Sequence, residues 1–269
     1  MLLPVFLFFC SIGNAWSATE VHVEKAGTLS TLLTTCETAV KITGSINGTD
    51  IKYIRELING GKVTELDLSK ASIVSGGEKY DGSNSTEDDI IGPSMFDGFS
   101  KLKAIELPEK ITEIKSNAFA NSGLRKINIP ENVTSLGDDA FAYCGSLEQV
   151  VIGSKMKTLS KGAFYSSPVK EVFVFATTPP NVEASYIFSS NPTVHVYKAS
   201  LDAYKASKWA EYAGKIVGDL DNYTSIEQPQ QDVEENDANA PIYDLSGRRV
   251  KELQPGKMYI RKGKKFIAK

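Results

Sequence analysis

Apolar positions return with a fixed period through the middle of the chain. Leu102-x-x-Ile105-x-Leu107-Pro108 opens one unit, which runs to Ala118-Phe119. Leu124-x-x-Ile127-x-Ile129-Pro130 opens the next, ending Ala140-Phe141-Ala142-Tyr143-Cys144. Leu147-x-x-Val150-Val151-Ile152 opens a third, ending Ala163-Phe164. The openings are 22 and 23 residues apart, and in each unit the phenylalanine falls 17 positions after the first leucine. Val169 opens a looser fourth unit, with Phe188 19 positions on. Val63-x-x-Leu66-x-Leu68 matches the opening upstream, but Phe96 lies 33 positions away. The excess is an insert over about 72–91, rich in glycine, serine and acids.

Each opening alternates as a strand does, so Ile105 and Leu107 point to one face. Proline or glycine then ends the strand. A second apolar pair follows (Ile111 and Ile114, Val133 and Leu136), and Ala-Phe closes the turn. One unit offers about six large side chains, worth roughly 1.5–3 kcal/mol each when buried. Ordering its backbone costs about 1–2 kcal/mol per residue. A single unit cannot stand alone, so the pattern predicts stacked units sharing one core.

A stack needs covered ends. Residues 18–62 are expected to form an N-terminal cap. Val21 and Val23 alternate there, and Ile51, Ile54, Leu57 and Ile58 predict a helix over Asp50–Asn59, stopped at Gly60. Residues 199–218 are the expected C-terminal cap. Ser200 would cap a helix, with Leu201, Tyr204, Trp209, Tyr212 and Ile216 closing the last coil. Residues 219–240 read as an acidic linker around Pro229. Residues 241–269 read as a basic β-hairpin module, with Met258 and Ile260, then Phe266 and Ala268, about a turn at Lys262-Gly263. From Asp244 on, bases outnumber acids nine to two, and Arg248, Arg249, Arg261, Lys262, Lys264 and Lys265 form a candidate polyanion-binding tail.

The unit L-x-x-I-x-L/I-P-x-x-V/I-T-x-I/L-x-x-x-A-F-x-x-C/S resembles the BspA-like leucine-rich repeat family. Thr177-Thr178-Pro179-Pro180, Val194 to Lys198, Ser200 to Lys205 and Trp209 resemble the family's closing segment. The resemblance spans about 63–217, with the repeats over 63–198. It implies a leucine-rich-repeat solenoid, β-rich with short helices in the caps, plus a small C-terminal β module. It also implies a secreted or surface protein of the Bacteroidetes, non-catalytic, that binds a macromolecule (a host matrix protein or a surface glycan) in adhesion. Alternatives are a structural surface array without a ligand and, remotely, a hydrolase. Y-D-L-x-G-R-x-V followed by G-x-Y-I resembles C-terminal modules of Bacteroidetes secreted proteins, sorting-type domains included.

Candidate binding residues follow from the strand alternation. The residue between the two inward positions points outward, which lines up Asp67, Glu106, Asn128, Val151, Phe173 and His195 on a concave face. Lys126, Gln149 and Glu171 stand in the neighbouring column. Val151 and Phe173 are expected to form an exposed apolar stretch, or one partly covered by the loop around 177–191.

Residues 1–17 read as a signal peptide: an apolar run from Leu2 to Ile12, then Ala15-Trp16-Ser17. Cys10 would leave with it, unless it is lipidated. The run is too short to span a bilayer, which needs about 20 apolar residues. A net charge of −3 excludes a globally basic nucleic-acid binder, and three cysteines exclude a disulfide scaffold and a Cys₄ zinc site. Cys36 and Cys144 could pair once exported, or serve as two buried thiols. No nucleophile elbow, zinc-protease motif, P-loop or dinucleotide fingerprint occurs. No catalytic residue, metal or cofactor is therefore expected. The oxygen-rich stretch 81–89 lacks the EF-hand register and reads as a solvated, mobile insert.

Overall fold

A computed structural model describes residues 18–34, 38–183 and 186–222, with strand residues 242–243, 249–250, 258–261 and 264–267. The signal-peptide segment, Cys10 and Cys36 lie outside the described residues. The chain divides into a unit up to Ser225 and a second from Ile226.

Strands of the first unit are, in order, β1 (Thr19–Val23), β2 (Ala39–Ile46), β3 (Glu65–Asp67), β4 (Ala71–Ile73), β5 (Ile90–Ile91), β6 (Ala104–Glu106) and β7 (Glu113–Ile114). There follow β8 (Lys126–Ile129), β9 (Ser135–Leu136), β10 (Gln149–Ile152), β11 (Thr158–Leu159), β12 (Glu171–Val174), β13 (Asn181–Val182), β14 (Thr193–Val196) and β15 (Lys215–Gly218). The unit openings and the cap strands pair in parallel in two sheets, β1-β2-β3-β6 and β8-β10-β12-β14-β15. Between β6 and β8 the Arg125 amide donates to the Lys103 carbonyl. The inward residues stand in register: Val40, Leu66 and Ile105 in one run, Ile127, Val150, Val172 and Val194 in the other. All are buried.

The second apolar pair of each unit does more than fill the core. It builds a second parallel sheet, β5-β7-β9-β11-β13, two residues per strand. Behind it, Phe96, Phe119, Phe141, Phe164 and Phe188 stack in one column. Successive centroids lie 5.2, 5.0, 5.5 and 5.2 Å apart, with planes within 11°. Trp209 ends the column, tilted at 6.3 Å from Phe188.

The corner carrying each phenylalanine has a repeated backbone. Two residues before it the chain is left-handed, at Ser94, Asn117, Asp139, Gly162 and Tyr186. Two residues after it the chain is left-handed again, at Gly98, Asn121, Tyr143 and Ser166. Three after it stands a small polar residue, Ser122, Cys144 or Ser167, all buried. The Ser167 hydroxyl donates to the Phe141 carbonyl (2.8 Å) and accepts from the Cys144 amide (2.9 Å). The Cys144 thiol lies 3.1 Å from the Phe119 carbonyl. Cys144 is a free thiol, and burial pushes its pKa up.

The N-terminal cap joins the long sheet through β1 and β2. Its helix, α1 (Leu29–Leu32) aside, is α2 (Gly48–Asn59), two residues longer at its start than predicted. Asn47 caps it by accepting from the Thr49 amide, and the buried Asp50 carboxylate accepts from the amides of Asn47, Leu29 and Gly27. Gly60 still has right-handed helical φ and ψ, and the left-handed turn falls one residue later, at Gly61 (φ 71°).

The C-terminal cap holds α3 (Leu201–Lys205) and α4 (Trp209–Tyr212), and adds a strand the sequence pattern missed, β15, parallel to β14. Tyr204 and Trp209 are buried, donating to the Ala176 carbonyl (2.7 Å) and the Pro180 carbonyl (2.9 Å). Ser200 makes no capping bond, because a 3₁₀ turn over Lys198–Ser200 runs straight into α3.

Two expectations are corrected here. The insert is folded about a few buried residues, although most of 75–88 stays exposed to solvent as expected. Its Tyr80 is buried and donates to the Pro93 carbonyl, Thr86 donates to the Val74 carbonyl, and Gly76 and Thr86 form an antiparallel bridge. Arg55 of α2 lies 5.0 Å from the Phe99 ring and 5.9 Å from the Tyr80 ring. The last residues of the insert are β5 itself. The expected linker also starts late. Leu220 is buried, and Asp219 and Asp221 bond back to His195 and the Lys198 amide.

In the second unit β16 (Ile242–Tyr243), β17 (Arg249–Val250), β18 (Met258–Arg261) and β19 (Lys264–Ile267) form an antiparallel sheet, order β17-β16-β18-β19. The predicted hairpin is there, with Met258 opposite Ile267 and Arg261 opposite Lys264. Of the basic residues, Arg249, Arg261, Lys264 and Lys265 lie on strands, while Arg248 and Lys262 lie outside the described residues.

Candidate functional site

The outward positions of the long sheet form the columns expected from alternation. Lys41, Asp67 and Glu106 share one register, as do Asn128, Val151, Phe173 and His195, with Val217 beyond. Lys126, Gln149, Glu171 and Thr193 are aligned alongside, ending at Lys215. All but two of these side chains are half-buried. Lys215 is exposed and Phe173 is buried. Asp67 is partly committed, accepting from the Ser69 amide at 2.8 Å.

Of the two expectations for this stretch, exposed or partly covered, Phe173 meets the second. It is only 8% exposed. The His195 ring covers it face to face, with centroids 4.5 Å apart and planes 10° apart. His195 is fixed in turn by two carboxylates: Nε2 lies 2.7 Å from Glu171, and Nδ1 lies 2.9 Å from Asp219. Sequence reasoning missed Asp219, which it placed in the linker. It also missed Phe175 and Tyr197, two residues beyond Phe173 and His195 on the same alternation. Their rings meet edge to face at 6.1 Å.

The resulting surface is a rib of Val151, Phe175 and Tyr197 beside a locked His195, bordered by Glu171 and Asp219. With both ring nitrogens facing carboxylates, His195 is held as part of the frame rather than aimed at a nucleophile. Among the described residues no group of three or more potential ligands could hold a metal ion. Nor is any described helix long and apolar enough to cross a membrane.

The match to a family model agrees with the coil geometry. Residues 83–194 match, in six copies, the family described as BspA type leucine rich repeat region. A leucine-rich repeat protein from Bacteroides ovatus, solved at 1.19 Å, is similar at 18% identity with a TM-score of 0.27. The match covers 59% of this chain and 49% of that one, so the chain spans about half the length of that protein. No curated protein matches the chain.

Proposed function

Residues 83–194 belong to the BspA-type leucine-rich repeat family, and from that premise we propose a secreted or cell-surface binding protein, not an enzyme, that takes a protein ligand on the outer face of its long sheet. The observation that carries this reading is the rib beside His195. Its aromatic and aliphatic groups are half-buried beside a His195 ring that is itself held by a ring stack and by contacts to two carboxylates. Interface cores favour such aromatics, with charged groups at the rim, and a surface already ordered loses little entropy on binding. Asp67, Glu106, Asn128, Lys126 and Gln149 would supply the polar rim. Export with loss of residues 1–17, and anchoring or sorting by the basic module, belong to the same proposal.

The test is a binding panel of purified extracellular-matrix proteins against the full chain and two variants, Val151→Glu and Tyr197→Ala. At least one matrix protein should bind, and both variants should weaken it at least tenfold, since each alters the rib without touching the His195 clamp. Equal binding by all three proteins, or no binding by any, would overturn the assignment of this face.

A further inference from the structure

Among the described residues, the exposed large hydrophobic side chains are Tyr143, Tyr165 and Tyr186, at 52%, 38% and 54%. All three lie together, one per coil, at the corners beside Phe141, Phe164 and Phe188. Their rings meet edge to face, 5.6 Å apart between Tyr143 and Tyr165 and 6.0 Å apart between Tyr165 and Tyr186. With Asp139, Lys161 and Gly162 they line a cleft of about 250 Å³.

Two of these tyrosines occupy backbone that does not suit them. The left-handed corner positions are held by glycine, asparagine, aspartate or serine everywhere except Tyr143 (φ 57°) and Tyr186 (φ 95°). A bulky side chain there carries strain that glycine or asparagine avoids. The two departures from the rule both deliver a ring to the same cleft. Strain concentrated this way is a mark of a site. Gly162 fits the same picture: a Cβ there would come within 2.1 Å of Asp139 Oδ1, so the glycine leaves the carboxylate its place.

The polar groups define the ligand. The backbones of Asp139 and Lys161 bond to each other, but the Asp139 carboxylate, the Lys161 ammonium and the three phenol hydroxyls make no hydrogen bond or ion pair among the described residues. A carboxylate accepts, an ammonium donates, and the phenols do both. The two charges are opposite, so the cleft has no net preference for an ion. A purely apolar guest would strand these groups without partners. A chain of hydroxyl-bearing rings would meet them and lay its C–H faces on the tyrosines, at a spacing comparable to one sugar per coil. We propose that the cleft between Tyr143, Tyr165 and Tyr186 binds a neutral glycan chain running along the stack of coils. This site is separate from the sheet face and stands whether or not that face binds protein.

Affinity electrophoresis and calorimetry with a neutral β-glucan, a neutral α-glucan and a mannan, against dextran sulfate and a proline-rich peptide, would test it on the full chain. At least one neutral polysaccharide should bind. Tyr165→Ala and Tyr143→Asn should each weaken that binding tenfold or more, while Tyr197→Ala on the sheet face leaves it unchanged. Tyr143→Asn should melt at the same temperature as the unaltered protein or higher, because it copies Asn121 of the preceding coil. Failure of every neutral polysaccharide would overturn the proposal. So would wild-type affinity in Tyr143→Asn, or binding confined to dextran sulfate or the peptide.

Discussion

Replacing Phe141 by alanine tests the stacking argument where it is strongest. The ring is fully buried and sits between two others, 5.0 Å from Phe119 and 5.5 Å from Phe164. Truncating a buried phenylalanine costs about 3–5 kcal/mol, transfer and cavity together. Each aromatic pair adds about 0.5–1.5 kcal/mol beyond area burial, and two pairs are lost. The coils above and below are pinned by two sheets and cannot close the gap. The expected loss is therefore near the top of the range, about 4–5 kcal/mol. Phe188 stacks on one phenylalanine only and meets Trp209 at a tilt, so Phe188→Ala should cost less, about 3 kcal/mol. Phe141→Leu keeps most of the volume and should cost about 1–2 kcal/mol. Denaturant titrations followed by circular dichroism would measure all three, with the slope checked for loss of cooperativity. A cost for Phe141→Ala below about 1.5 kcal/mol, or one smaller than for Phe188→Ala, would refute the idea that the ring column holds the coils together.

Two further outcomes follow from buried and bonded titratable groups. Cys144 should resist alkylation in the folded protein at mildly alkaline pH and react once the chain is unfolded, as peptide mapping by mass spectrometry would record, because burial raises its pKa and bars access; fast labelling in the native state would contradict its placement. Burial pushes the Asp81 carboxyl up, but bonds from the Asn84 amide and side chain and the Ser83 amide outweigh it and hold its pKa below the ordinary value. Its contribution to stability is present above the unfolded carboxylate pKa and lost as pH falls through the lower folded value, so amide exchange at Ser83 and Asn84, corrected for intrinsic rates, should accelerate only on acidification below the usual carboxylate range.

The repeat was legible because alternation and the Ala-Phe closure report one coil at a time. Leu66, Ile105, Ile127, Val150, Val172 and Val194 all face inward in the register read from the sequence. The second sheet was not legible, since two-residue strands such as Glu113–Ile114 are too short to alternate. The acids and glycines of the insert stay largely exposed, as read, but its composition did not show that Tyr80 and Thr86 would supply the contacts that fold it. The candidate face was half visible. Its column was right, but a side chain's exposure depends on the next coil, and only the structure lays His195 over Phe173. Asp219 escaped because the acidic composition of the linker hid one residue that bonds back. The tyrosine cleft gave no motif, being a departure from corner residues whose geometry the sequence does not print.

The twofold strand ladder and the ring column have a mechanical consequence. From Leu102 on, the strand pairing and most backbone bonds of a coil go to the coil next to it, 22 or 23 residues away. Under tension applied along the chain, the coils are therefore released one after another from an end, each freeing roughly 75 Å of slack. Such a stack dissipates load in increments and can recoil between them, where a globular domain yields in a single event. The two ends set the force at which peeling starts: α2 with its Asp50 clamp on one side, Trp209 against Phe188 on the other.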